Sequence, residues 1–104
     1  MIEKLINEEL QNANKKFPLF SSWHEAYAVI LEEVEEANNE ADVMCNLYLD
    51  RLWRDIKVKA SSEADRLEDI GMLRGYVVRA IEELIQVAAM CDKAVMSLGE
   101  EKTE

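Results

Sequence analysis

One proline and three glycines in 104 residues leave the chain few places to break, because both residues interrupt helices. Long helices follow from that scarcity. No period-two alternation bounded by turn residues occurs, so strands are not expected. The two cysteines, Cys45 and Cys91, lie far apart and lack metal-site spacing. They read as small buried hydrophobes of a reducing compartment, not as a disulfide. Basic residues are also scarce, 12 against 22 acidic ones, for a formal net charge of -10. Duplex binding needs clustered Lys and Arg, so nucleic acid is not an expected partner. A DNA-binding regulator is further disfavoured by the lack of a short turn leading into a basic recognition helix. No basic-then-apolar leader opens the sequence, and no apolar run approaches a membrane span. A cytoplasmic protein with no membrane partner is the expectation.

What the chain does contain is 49% hydrophobic and 33% charged, a globular composition. The length suits one domain, residues 1–104, with a core at the small end of what stabilises a fold. Ile2, Leu5, Ile6, Leu10 and Ala13 recur at spacings of three and four and predict a first helix ending near Lys16. Phe17-Pro18-Leu19-Phe20 then makes an apolar loop, expected to pin itself against the core through residue 21. Ser22 and Glu25 form a capping-box pattern, opening a long helix over 22–57. Its apolar seam, Trp23, Tyr27, Ile30, Val34, Ala37, Ala41, Met44 and Tyr48, steps by alternating four and three. That phase survives Asn38-Asn39, the one weak spot, so an unbroken helix is favoured there.

Ser61 or Ser62 can cap a C-terminal helix over 62–98, with residues 99–104 as a frayed tail and Gly99 a cap candidate. Gly71, inside that helix, marks close packing or a bend. Its seam runs Leu67, Ile70, Arg74, Val77, Ile81, Leu84, Ala88, Cys91, Val95 and Leu98. Between Leu84 and Cys91 only Gln86 is clearly polar, so this helix should be buried on more than one side. The expected fold class is all-α, an antiparallel helical bundle of three to four helices, completed or extended by dimerisation.

Within the long helix, Glu32-Glu33-Val34-Glu35-Glu36 places four carboxylates in five residues. Glu32 and Glu36 are one turn apart, and Glu33 and Glu36 are also neighbours. Like charges at those spacings cost a few tenths of a kcal/mol per pair. A solvated acidic face is the plain explanation; a bound cation, which would remove the cost, is the functional one. Glu82-Glu83-Leu84-Ile85-Gln86 is the other acidic interruption of a buried helix. Antiparallel packing brings Glu83 and Gln86 opposite Val29, Glu33 and Glu36. Oxygen ligands from two helices suit a hard cation such as magnesium.

The segments His24 to Glu36 and Glu82 to Cys91 resemble the MazG-like branch of the all-α nucleoside triphosphate pyrophosphohydrolases, most of all its small phage and Gram-positive forms. That family carries E-E-x-x-E on one helix and E-x-x-D on a later one. Glu32, Glu33 and Glu36 match the first pattern. Glu83 matches the start of the second, whereas Gln86 stands where an aspartate is expected and the gap between motifs is longer. An amide oxygen can ligate a hard cation but brings no charge. The resemblance implies magnesium-dependent hydrolysis of a nucleoside triphosphate to the monophosphate and pyrophosphate, with manganese as an alternative ion. It implies Glu33, Glu36 and Glu83 as metal ligands, Gln86 as a weaker one for metal or substrate, and Glu32 as a further ligand or the catalytic base. A homodimer or homotetramer is the expected assembly.

Arg54, Lys57 and Lys59 are the basic residues weighed against the phosphates, each more simply a surface charge. Trp23, Tyr27 and Trp53 are weighed as base-stacking residues, though seam positions favour the core. His24 reads as a first-turn surface residue with no nucleophile beside it. The competing function is a non-catalytic helical oligomerisation or adaptor protein that keeps the bundle and has lost the metal site at Gln86.

Overall fold

The computed structural model describes residues 1–58 and 61–99. Four α-helices appear in order: α1 (Ile2–Lys16), α2 (Trp23–Asn38), α3 (Cys45–Lys57) and α4 (Glu63–Leu98). No strand occurs among the described residues, and the class is all-α with helices packed on one another. A π-helical segment, Asn39–Met44, joins α2 to α3. Asn38 (φ −63°, ψ −40°) and Cys45 (φ −64°, ψ −42°) stay right-handed helical on either side of it. The asparagines therefore do not end the helix; the hydrogen-bond ladder widens after them instead. Short π segments of this kind take up an extra residue without breaking a helix.

Serine caps fix where the helices start. The Glu25 N–H donates to Ser22 Oγ at 3.1 Å, while the Glu25 carboxylate accepts from the Ser21 N–H at 2.8 Å. The return bond thus falls one residue earlier than the capping-box pattern specifies. At α4, Ser62 is the cap. Its Oγ accepts from the Asp65 N–H at 3.1 Å and its N–H donates to Asp65 Oδ2 at 3.0 Å. Ser61 instead donates to the Val58 carbonyl at 2.9 Å and to the Asp55 carbonyl, closing the end of α3.

The chain forms two compact units, Met1–Glu35 with Glu82–Glu104, and Glu36–Ile81. The first holds the apolar core: Ile6 and Leu10 of α1, Phe20 of the loop, Ala26 of α2, and Ala89, Met90, Ala94 and Leu98 of α4. Val29, Ile30, Ile85 and Ala88 pack against its edge. Ala26 on α2 and Ala89 and Ala94 on α4 put small side chains into that core. The loop is tied down by a relay in which Phe20 N–H donates to Ser97 Oγ at 3.0 Å and that hydroxyl donates to the Lys93 carbonyl at 2.7 Å. Phe20 meets α4 near its end, and Glu33, farther along α2, meets Glu83 nearer its start. Within this unit α2 and α4 are therefore antiparallel.

The second unit is a helical hairpin. Tyr48 stacks on Tyr76 with centroids 5.5 Å apart, and Asp55 hydrogen-bonds Asp69, so pairing runs backward along α4 as α3 advances. Among its described residues only Ala37, Asp69 and Ala80 are buried. A two-helix hairpin has one internal face, and most of its apolar residues lie elsewhere.

Several sequence expectations need correction. The seam on α4 faces outward over most of its length: Leu67, Ile70, Val77, Ile81, Leu84 and Val95 are exposed, while Ala88 is half-buried and Leu98 lies in the core. Cys91 is exposed too, Cys45 is half-buried, and both are free thiols. Trp23, Tyr27 and Trp53 are exposed, as are Phe17 and Leu19, leaving Phe20 as the loop residue in the core. The physical reason is common to all of these. The chain has more apolar stripes than one copy can bury. Gly71 marks no close approach, since a Cβ there would meet nothing within 4 Å. Gly99 does not take the left-handed conformation of a helix-ending glycine. Lys59 and the tail from Glu100 lie outside the described residues. Among the described residues no helix is long and apolar enough to cross a membrane.

Candidate metal centre and adjoining cavity

The Ser22–Glu25 cap sets the phase of α2, and Val29, Glu33 and Glu36 follow along one of its faces. On α4 the residues Glu83, Gln86, Met90, Lys93 and Ser97 recur at alternating three and four, which places them on one stripe. This second stripe, not the apolar seam, is the one turned toward α2. Its packing brings Glu33 and Glu83 together, and Glu36 joins them one turn along from Glu33 on the same helix. One carboxylate oxygen from each of the three lies within 4.8 Å of the others. Glu33 and Glu83 are half-buried and Glu36 is exposed.

That spacing is close to what an octahedral magnesium ion requires. With Mg–O bonds of about 2.1 Å, ligand oxygens sit roughly 3 Å apart when adjacent and about 4 Å apart when opposite. Small side-chain rotations close the difference. The donor set consists of carboxylates alone, hard ligands that suit magnesium, manganese or calcium and not a thiophilic ion. Half-burial favours occupation further, because two carboxylates partly removed from water repel each other more strongly than exposed ones.

Of the residues anticipated from the sequence, Glu33, Glu36 and Glu83 converge. Glu32 is exposed on α2 and is not one of the three. Gln86 is half-buried and lines a cavity of about 460 Å³ together with Glu33. Ligand pockets usually span about 300–1,000 Å³. Arg54 and Lys57 are exposed, and Lys57 Nζ lies 5.2 Å over the Trp53 ring. The basic residues that do line the cavity are Lys16 and Lys93, and its aromatic wall is Phe17 and Phe20. Trp23, Tyr27 and Trp53 are not part of that lining. Lys93 was legible in principle: it continues the polar stripe one heptad after Gln86, in a stretch whose other charged residue is Asp92.

A second acidic contact lies in the hairpin unit. Asp69 is only 7% exposed. Its carboxyl is raised above the ordinary aspartate value, first by the side-chain hydrogen bond with Asp55, then by burial and by the Asp55 charge. The Arg51 guanidinium pulls in the opposite direction. The meeting of these two carboxyl groups makes a structural clasp between α3 and α4, distinct from the converging glutamates.

No protein-family model matches this chain, and no curated protein or solved structure is found to be similar to it.

Proposed function

We propose that the protein is a magnesium-dependent nucleotide pyrophosphohydrolase that cleaves a nucleoside triphosphate to its monophosphate and pyrophosphate. The observation that carries this reading is the convergence of Glu33, Glu36 and Glu83 from two helices, with ligand oxygens within 4.8 Å of one another. The cavity that Glu33 and Gln86 line supplies room for a substrate beside those carboxylates. Together they accord with the family resemblance in the two motif segments.

Glu33, Glu36 and Glu83 would hold magnesium, with manganese able to replace it. A metal held there neutralises phosphate charge and supplies a bound water of lowered pKa. Gln86, lining the cavity with Glu33, presents an amide whose oxygen accepts from a water and whose nitrogen donates to a phosphate oxygen. Its neutrality leaves the site one negative charge short of a four-carboxylate centre. Metal affinity should therefore be weaker than in a centre that has an aspartate at this position. Glu32, exposed on α2 next to Glu33 in sequence, would be a further ligand or the carboxylate that orients or deprotonates a water.

The outward seam of α4 supports self-association. Exposed apolar residues from Leu67 to Val95 extend over about 42 Å of helix at 1.5 Å per residue. Monomers rarely present so long an apolar stripe. A second copy with the same stripe satisfies it by a twofold, self-complementary contact. A homodimer, or a homotetramer built from it, resident in the cytoplasm, completes the proposal. Sedimentation reporting a monomer at all concentrations would remove this part.

The enzymatic part is tested by a screen of nucleoside and deoxynucleoside triphosphates with magnesium, following pyrophosphate. Turnover of at least one substrate, lost in Glu33→Gln and Glu83→Gln variants that remain helical, is the expected result. A folded protein inert toward every substrate would favour the adaptor reading instead.

A further inference from the structure

The lysine at position 93 is only 3% exposed. Lysines are among the residues least often buried to this degree. Its Nζ lies over the Phe20 ring, 5.0 Å from the centroid. A ring face attracts an ammonium but occupies no more than one side of it, and the group carries three N–H donors. Lys93 also lines the cavity that holds Glu33 and Gln86. Its position is fixed from both ends. The carbonyl of Lys93 accepts from Ser97 Oγ, which in turn accepts from the Phe20 N–H. One relay thus sets the ring and the ammonium relative to each other. Lys16, exposed at the end of α1, is the cavity's other cation.

We infer that Lys93 is an anion-binding residue, and that the cavity takes a phosphorylated small molecule whose phosphoryl group it holds. Lys16 guides the same group at the surface, and Phe17, Pro18 and Phe20 form the wall for the apolar portion of the ligand. Three carboxylates, Glu9, Glu25 and Glu33, line the cavity against those two ammonium groups. Glu25 is already engaged by the Ser21 N–H. Without a metal the lining is net negative and repels an anion. A divalent ion on Glu33, Glu36 and Glu83 cancels two of their three negative charges and presents its own charge to the phosphoryl oxygens, so anion binding depends on magnesium. In this respect the inference rests on the metal centre proposed above, though it does not require turnover.

The probe is inorganic pyrophosphate, titrated calorimetrically into the intact protein with and without magnesium. Binding is expected with magnesium only. Lys93→Met, which keeps the apolar stem, should weaken it roughly ten- to hundredfold, the range set by loss of a charge-assisted hydrogen bond. Lys16→Met, at an exposed position, should weaken it by a smaller factor. In wild-type protein the Lys93 side-chain NMR signals should shift on saturation, a readout independent of how any variant folds. Equal affinity in folded Lys93→Met, or pyrophosphate binding that leaves those signals unmoved, overturns the inference. Failure of pyrophosphate to bind when magnesium does bind overturns it as well. Pyrophosphate binding through Lys93 with no triphosphate turned over would instead retain this pocket and remove the hydrolase reading.

Discussion

Replacing Glu36 with glutamine should change the sign of the difference in stability between variant and wild type, depending on magnesium. Glu36 lies three residues from Glu33 and four from Glu32 on one helix, and its carboxylate is within 4.8 Å of those of Glu33 and Glu83. Without metal, neutralising it removes like-charge neighbours that cost a few tenths of a kcal/mol each. Since about 1 kcal/mol moves the melting temperature of a domain this size by roughly 4–8 °C, the variant should melt a few degrees higher. With magnesium at ten times its dissociation constant, wild type gains RT ln 11, about 1.4 kcal/mol, equivalent to ~6–11 °C. The variant should lose most of that gain, so the order of the two melting curves reverses. The assay is thermal unfolding followed by circular dichroism, with sodium chloride matched to equal ionic strength. The matching is needed because a chain of net charge -10 is stabilised by any screening salt. A variant that keeps the full magnesium shift, or a wild type that shows none, refutes the metal centre.

Further outcomes follow from the same geometry. Because Asp69 is raised above its ordinary value of 3.8, its contribution to stability is present below that pH and is lost as pH rises through the raised value. Asp69→Asn, whose amide still donates to Asp55, should therefore exceed wild type in urea unfolding at neutral pH and lose that advantage at acid pH; identical pH profiles would contradict the clasp. Gly71→Ala and Gly75→Ala meet nothing within 4 Å and should each raise stability by about 1 kcal/mol. Destabilisation of the assembled protein by either would place a second copy against that face. Ser62→Ala removes the α4 cap and should cost about 1 kcal/mol in chemical unfolding.

Much of the helical layout could be read from the sequence, because helix punctuation is local. Pro18, Ser22 and Ser62 act on their own turns, and α1, α2 and α4 begin or end beside them. The junction of α2 and α3 shows the limit of such reading. The right-handed backbone through Asn38 and Asn39 was expected, but the wider ladder of Asn39–Met44 leaves no residue-type signature. Burial was less legible than periodicity. The Leu67 to Val95 seam is regular, and regularity alone does not decide which of several apolar stripes packs within one chain. The stripe that did pack, from Glu83 to Ser97, is flanked by Ala89 and Ala94, whose small size allows close approach and is discounted when large side chains are sought. The same bias concealed Lys93. A buried cation inside an apolar helix looks like an interruption until the Phe20 loop is seen to close over it. The Glu33, Glu36 and Glu83 convergence needed only an antiparallel pairing, so it was within reach of spacing arguments.

Phosphorus-31 NMR of a nucleoside triphosphate incubated with the protein and magnesium tests the central claim most directly, because it identifies the bond broken as well as the rate. The account predicts signals of the monophosphate and pyrophosphate growing together in equal amounts, and their absence with Glu33→Gln. Diphosphate with inorganic phosphate, or an unchanged spectrum for every nucleotide tried, would contradict it.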